Sequence, residues 1–362
     1  MTVFISDVEG PITKNDNAYE LTCHYLKGPG IDGGRVFSVI SSYDDVLAYV
    51  FKKEGYKAGD TLRLILPFLK AFGATNAEIE EYSRANLLLM PGIKQALKEV
   101  QDTHKIPSYI ISTSYEPYVK ALCRAIGFPF EYAYCTHLNI DRYNISPAET
   151  LRLKKIAVEI SSMEVIKIPE KASNIRSFRK KDQEAIKRLD EIFWEELTGL
   201  EIYSLIEDVN PVGGREKSDA TVDIIKKLDK CITEVIYFGD SITDVETLRM
   251  VRKGGGLAVS FNGNAYAIHE ADIAVMATET WIIALLTEAF DRHGKEGVID
   301  LISSFNKGKR VEVGSELLAT REMRKKGLYG LYVIDEKNMH EIITESTALR
   351  RSVRGEKIGE LG

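Results

Sequence analysis

The 362-residue chain is long enough for one large α/β domain with accessory modules, and its composition is ordinary for a globular protein. Its formal net charge of -6 argues against nucleic acid as the partner, because proteins that bind phosphate backbones concentrate positive charge. No apolar run reaches the roughly 18 residues of a membrane span and no signal peptide is visible, so we expect a soluble cytoplasmic protein. The four cysteines lie far apart, which favours reduced thiols over disulfides or a thiolate metal site.

Short runs of β-branched and aromatic residues predict buried strands at 2–6, 108–112 and 234–238, with weaker strands at 256–260 and 272–276. Helical patterns lie between or after these strands, at 92–103, 117–126, 218–228, 243–251 and 279–287. Strands that alternate with helices predict a parallel, doubly wound α/β sheet of the Rossmann-like kind. In such a sheet the ligand site lies beyond the carboxyl ends of the strands.

Two long stretches interrupt this alternation. Residues 13–89 predict helices at 32–53, 60–72 and 76–87. The stretch 137–210 predicts a helix that begins at the capping sequence Ser146-Pro147-Ala148-Glu149, then a strand at 165–168 and a charged helix at 179–197. The tail from residue 291 is helix-rich and carries basic clusters at 321–326 and 350–357.

Carboxylates follow two of the predicted strands. Asp7 and Glu9 come directly after the first strand, and alone they could belong to a solvated turn before Gly10. Asp240 follows the strand at 234–238, and Asp244, at the next helix start, could alone be an ordinary acid favoured by the helix dipole. Because both strands belong to one parallel sheet, these acids converge and repel one another unless a cation neutralises them. Oxygen ligands without histidine or cysteine favour Mg²⁺ over zinc.

Two further residues lie between these motifs: Ser112, at the end of the strand at 108–112, and Lys217, just before a helix. Each alone is more typical of a structural hydroxyl or a solvated surface lysine. Asp7-x-Glu9-Gly10, Ser112, Lys217 and Gly239-Asp240-x-x-x-Asp244 together resemble the four ordered motifs of the haloacid dehalogenase superfamily, with the phosphoserine-phosphatase-like branch as the nearest pattern.

The resemblance implies a role for each residue. Asp7 would attack phosphorus to form an aspartyl phosphate, and Glu9 would protonate the leaving oxygen and then activate water. Ser112 and Lys217 would bind the phosphoryl oxygens. Mg²⁺ would be held by Asp7, the Glu9 carbonyl and Asp240, while Asp244 would complete the metal shell through water or orient Lys217.

The sequence departs from the family pattern at two positions. Glu9 stands where the family usually has aspartate, which moves the carboxyl by roughly 1 Å, and misplacement of that size can cost on the order of 10²-fold in rate. The enolase-phosphatases of the superfamily look similar here, so we interpret Glu9 as a working acid and base. Pro11 replaces the usual threonine.

We therefore predict a Mg²⁺-dependent phosphatase for a small phosphorylated metabolite. Its predicted units are a catalytic core (1–13, 89–136 and 211–290), a helical cap (14–88), an accessory α/β insertion (137–210) and a C-terminal extension (291–362). Polar candidates for substrate recognition in the cap are Arg35, Tyr43, Asp44 and Arg63. The alternatives are a phosphotransferase or mutase, and a weakly active subunit that meets a protein partner through the insertion or extension. The whole chain also faintly resembles archaeal proteins described as energy-converting hydrogenase subunit R.

Overall fold

A seven-stranded sheet forms the centre of the computed structural model, which describes residues 2–169, 172–309, 311–313, 316–318 and 324–360. Its strands are β1 (Val3–Ser6), β2 (Ser108–Tyr115), β3 (Ala133–Thr136), β4 (Val235–Gly239), β5 (Leu257–Phe261), β6 (Ile273–Ala277) and β7 (Leu328–Val333). They lie in the order β7-β6-β5-β4-β1-β2-β3, and every neighbouring pair is parallel except β6 with β7. The predicted α/β class with a doubly wound, mostly parallel sheet is confirmed.

Both faces of the sheet are covered by helices, so the central strands are buried and mostly apolar. Alternate residues point to opposite faces: Phe4 packs on one side, while Val3 and Ile5 pack on the other. The first face holds α5 (Ile93–Lys98), α6 (Glu116–Ile126) and α13 (Trp281–Asn306). The second face holds α10 (Arg215–Lys227), α11 (Val245–Lys253), α12 (Ala265–Glu270) and α14 (Met339–Arg354).

Two helical insertions lie beyond the sheet. The first follows β1 and contains α1 (Asn17–Tyr25), α2 (Gly33–Asp45), α3 (Thr61–Ala71) and α4 (Asn76–Ala85). The second lies between β3 and β4 and contains α7 (Pro147–Ser162), α8 (Lys180–Glu191) and α9 (Ser204–Asp208). Their apolar side chains form one shared hydrophobic cluster, in which α7 packs against α2 and α3. The unit boundaries themselves stay a prediction.

Several local predictions need correction. The predicted strand at 165–168 is not a strand: Ile166 is buried in the insertion core, and its N–H donates to the Ser42 hydroxyl at 3.1 Å instead of to a neighbouring strand. The helix predicted at 279–287 is part of α13, which continues to Asn306 through a kink at Gly294. The helix start at Ser146 has the predicted capping box with Glu149. The strands β3 and β7 and the helix α1 were not predicted.

The C-terminal part brings α14 back to the sheet, and the short helix α15 (Glu356–Gly359) follows it. Of the predicted basic clusters, the one at 350–357 lies on these helices, whereas residues 321–323 of the other lie outside the described residues. Across the described ranges, the helices are each too short or too polar to cross a membrane. All four cysteines are free thiols.

Candidate active site

The acidic residues after β1 and β4 meet at the carboxyl end of the sheet, because these two strands are neighbours. The Asp7 N–H donates to the carbonyl of Phe238 at 2.8 Å, which ties the two strand ends together. Asp7, Asp240 and Asp244 are all buried, and each offers a carboxylate oxygen within 4.8 Å of the others. Their arrangement brings three carboxylates to one point.

Lys217, in the first turn of α10, is completely buried between two of these carboxylates. Its Nζ lies 2.8 Å from Asp7 Oδ2 and 2.8 Å from Asp244 Oδ1. Burial alone lowers the pKa of this lysine, but the charges of Asp244 and Asp7 outweigh burial and raise the pKa above its ordinary value. Lys217 is therefore a fixed ammonium beside the candidate nucleophile.

Both oxygens of Asp244 are engaged in hydrogen bonds. Oδ1 accepts from Lys217 and from the Tyr237 hydroxyl at 2.7 Å, and Oδ2 accepts from the backbone N–H groups of Asp240 and Ser241 at 3.0 and 3.1 Å. Burial raises the pKa of Asp244, but the charge and hydrogen bonds of Lys217 outweigh it and leave the pKa lowered. Asp244 is therefore in contact with Lys217, and whether it also completes a metal shell through water stays a prediction.

Glu9 lines the pocket and lies between the start of α1 and the end of β2. Its Oε1 accepts from the Asn17 N–H at 2.8 Å and from the Ser114 hydroxyl at 2.7 Å. Burial, reinforced by the nearby charge of Asp16, raises the pKa of Glu9 to about 8. A raised pKa favours the protonated carboxyl, which is the form that can donate a proton.

A small pocket of about 90 Å³ opens where these groups meet. Ser112 lines it and is fully buried, and its Oγ accepts from the Ser114 N–H at 3.1 Å. The remaining lining comes from the strand ends, from the first insertion and from α14, and includes Asp7, Glu9, Asp16, Ser41, Asp44, Asp45, Thr61, Asp240, Arg350 and Arg354.

Two arginines of α14, for which the sequence suggested no role in the site, bind Asp240. Arg350 and Arg354 both donate to Asp240 Oδ2, the latter through Nη1 at 3.0 Å. Arg354 also donates to the carbonyls of Lys14 at 3.2 Å and Asn15 at 2.5 Å. The available signal was the spacing of Ser346, Arg350 and Arg354, which puts them on one face of a helix.

The donor set fits a hard divalent cation such as Mg²⁺. Every candidate ligand atom is an oxygen, and burial together with the charge of Asp244 raises the pKa of Asp7 to about 8. A bound cation would relieve that cost. Within the described residues the arginines engage Asp240 Oδ2, which leaves Oδ1 for a cation. A Cβ on Gly10 would lie 2.2 Å from Asp240 Oδ2, so this position requires glycine.

The four polar candidates of the first insertion have different surroundings. Tyr43 is buried, accepts from Trp194 Nε1 at 2.7 Å and donates to Asp190 at 2.5 Å, so it joins the two insertions. Arg63 pairs with Asp60 at 2.5 Å. Asp44 lines the pocket but accepts from Gly59 and Thr61, whereas Arg35 is exposed.

The whole chain shares its fold with an archaeal protein. A solved gene product of Archaeoglobus fulgidus is 27% identical, with a TM-score of 0.80 over 100% of this chain and 99% of that one. Weaker similarity extends to a phosphoserine phosphatase in apo form (13% identity, TM-score 0.46, 78% of this chain and 96% of that one). It also extends to a hydrolase from Pseudomonas syringae (13% identity, TM-score 0.41, 82% of this chain and 100% of that one). No family model matches the chain. No curated protein matches it either.

Proposed function

We propose that the chain is a Mg²⁺-dependent phosphatase of the haloacid dehalogenase type, which hydrolyses a small phosphorylated metabolite. The observation that carries the proposal is the position of Asp7. Its carboxylate lies beyond the central strand, 2.8 Å from the buried Lys217 ammonium and within 4.8 Å of an oxygen of Asp240. A carboxylate placed between a fixed cation and a second acid is suited to phosphoryl transfer, in which positioning and charge stabilisation do most of the catalysis.

Each side chain has a defined task in this proposal. Asp7 attacks phosphorus while the ester oxygen leaves, which forms an aspartyl phosphate. Lys217 keeps the Asp7 carboxylate oriented, and Ser112 at the pocket wall donates to a phosphoryl oxygen. Asp7, the Glu9 carbonyl and Asp240 would hold Mg²⁺, which when bound offsets the negative charge of the phosphoryl oxygens.

Glu9 carries the proton chemistry. Its carboxyl, whose raised pKa favours the protonated form, donates a proton to the leaving oxygen as the ester bond breaks. The carboxylate that remains then takes a proton from the water that attacks the aspartyl phosphate, so Glu9 returns to its starting form. The hydrogen bonds from Asn17 and Ser114 fix the direction of its carboxyl group.

A phosphatase screen against a panel of phosphorylated metabolites tests the proposal. We expect hydrolysis by the wild type that requires Mg²⁺ and falls to background in Asp7→Asn. The matched control Asp300→Asn removes an exposed carboxylate of α13 that does not line the pocket, and this variant should keep full activity. Absence of both turnover and Mg²⁺ binding would overturn the proposal, whereas a long-lived phosphoenzyme would redirect it to phosphotransfer.

A further inference from the structure

The pocket at Asp7 has a volume of about 90 Å³, below the range of roughly 300–1,000 Å³ typical of sites that enclose a whole ligand. A second cavity, which we call the outer groove, has a volume of about 820 Å³, within the range of about 300–1,000 Å³ typical of ligand sites. Ser41 and Asp45, near the end of α2, line both cavities. The two cavities therefore adjoin each other along the end of α2.

Basic side chains from three separate parts of the chain line the outer groove. Arg35 comes from α2, Lys167 from the second insertion, and Arg351 and Lys357 from the C-terminal helices. Arg351 is paired with Glu360 at 3.3 Å. The other three are exposed, and no ion pair or side-chain hydrogen bond joins them to any residue in the described ranges.

The acidic residues of the outer groove are largely compensated. Asp32 accepts from the Arg35 N–H at 3.1 Å as the cap of α2, and Glu360 is paired with Arg351. Burial and the charge of Asp44 raise the pKa of Asp45 well above its usual range, which weakens the negative charge at the junction of the two cavities. Within the described ranges the groove thus offers a ligand three cations without an ion-pair partner, against one exposed carboxylate, Asp32, that caps α2.

Building on the proposed function, we propose that the outer groove binds the leaving group of the substrate and that this leaving group carries at least one further anionic group. A carboxylate or a second phosphate would pair with Arg35, Lys167 and Lys357. The second insertion and the C-terminal extension then have a specific purpose. Each lines part of the groove, and they supply Lys167 and Lys357, respectively.

Matched substrate pairs test this inference. The first pair is 6-phosphogluconate against sorbitol 6-phosphate, which differ by a carboxylate. The second is fructose 1,6-bisphosphate against fructose 6-phosphate, which differ by a phosphate. We expect the wild type to hydrolyse the member with the additional anionic group, in at least one pair, with a KM about tenfold lower than that of the other member. The pair that shows this difference identifies the anion. In the triple variant Arg35→Ala, Lys167→Ala, Lys357→Ala, the difference in KM should disappear while the kcat for the member without the additional anion is unchanged.

The control triple variant Lys94→Ala, Lys98→Ala, Lys253→Ala removes the same charge from exposed sites outside both cavities and should keep the preference. The inference is overturned if the wild type treats both members of each pair alike, or if the control loses the preference equally. Binding of the same four probes to Asp7→Asn, measured by calorimetry, separates the two proposals. Tighter binding of the probe with the additional anion supports the groove assignment even if none of the four probes is hydrolysed, in which case the metabolite screen and Mg²⁺ binding decide the proposed function. Equal binding of the paired probes would overturn the groove assignment on its own.

Discussion

Buried, oppositely charged side chains meet where β1 and β4 end. Lys217 lies between Asp7 and Asp244, and two arginines share one oxygen of Asp240. Buried ion pairs of this kind contribute little net stability, because removing the charges from water offsets their attraction. What they provide is a fixed geometry, and an attacking carboxylate depends on that geometry.

Replacing Lys217 with methionine tests this pairing. K217M retains most of the side-chain volume but leaves Asp7 and Asp244 buried together without their shared cation. We expect the free energy of unfolding to fall by about 3–5 kcal/mol, measured by urea titration in the presence of a chelator. K94M, on the exposed face of α5, should change it by less than about 0.5 kcal/mol. A cost of K217M as small as that of the control would contradict the pairing.

The raised pKa of Glu9 predicts how stability depends on pH. Between the ordinary pKa of 4.5 and about 8, the folded protein binds a proton that the unfolded chain has lost. The contribution of Glu9 to the stability of the metal-free protein should therefore be greatest below pH 4.5. It should fall as the pH rises to about 8. The slope for one proton is at most about 1.4 kcal/mol per pH unit.

Denaturant unfolding at several pH values between 5 and 8, in the presence of a chelator, measures this slope. Glu9→Gln cannot titrate, so the variant should lose less stability over this range than the wild type. The raised pKa of Asp7 remains in both proteins and leaves them some common slope. Identical slopes for wild type and variant would place the pKa of Glu9 near its ordinary value.

At the scale of elements, α14 is joined to the site through polar contacts on one face. Ser346 donates to the Gly263 carbonyl at 2.7 Å, and Arg350 and Arg354 follow one and two turns later. Residues four apart share a helix face, so all three reach the ends of the sheet strands together. The C-terminal extension is therefore part of the site and lies directly against Asp240.

Arg350→Met measures what this contact contributes. In the metal-free protein we expect it to lower the free energy of unfolding by about 3 kcal/mol, because Asp240 loses one of its two buried cations. With saturating Mg²⁺ the cost should be smaller, since a cation bound to Asp240 supplies the missing charge. Paired urea titrations with Mg²⁺ and with a chelator provide the comparison. An equal cost in both would mean that Asp240 does not bind the metal.

Across the whole molecule, local sequence signals were sufficient for the five strands β1, β2, β4, β5 and β6 and for the acidic residues that follow β1 and β4. β1 and β4 are apolar runs long enough to be buried on both faces, and each is followed at once by a carboxylate. A parallel sheet brings the carboxyl ends of its strands to one edge, so the meeting of Asp7 with Asp240 could be expected from the sequence, whereas the direct pairing of β1 with β4 is seen in the structure.

Features that depend on distant contacts could not be read in this way. Arg350 meets Asp240 across 110 residues of chain. The spacing of Ser346, Arg350 and Arg354 indicates a shared helix face, but not that this face meets Asp240. The edge strand β3 has the same length as β1, but it is largely half-buried and lacks the continuous apolar run that marks a central strand. The sequence at 165–168 is compatible both with a strand and with an extended segment outside any sheet. Only the packing of the second insertion against the first decides between the two.

Locating the phosphoryl group during turnover tests the central claim most directly. The wild type, quenched with acid while it hydrolyses a substrate identified by the screen, is digested and its peptides are analysed by mass spectrometry. We predict a phosphorylated peptide with the group on Asp7, formed only when Mg²⁺ is present and absent from Asp7→Asn. Hydrolysis that proceeds in Asp7→Asn, or a phosphoryl group found on another residue, would contradict the account.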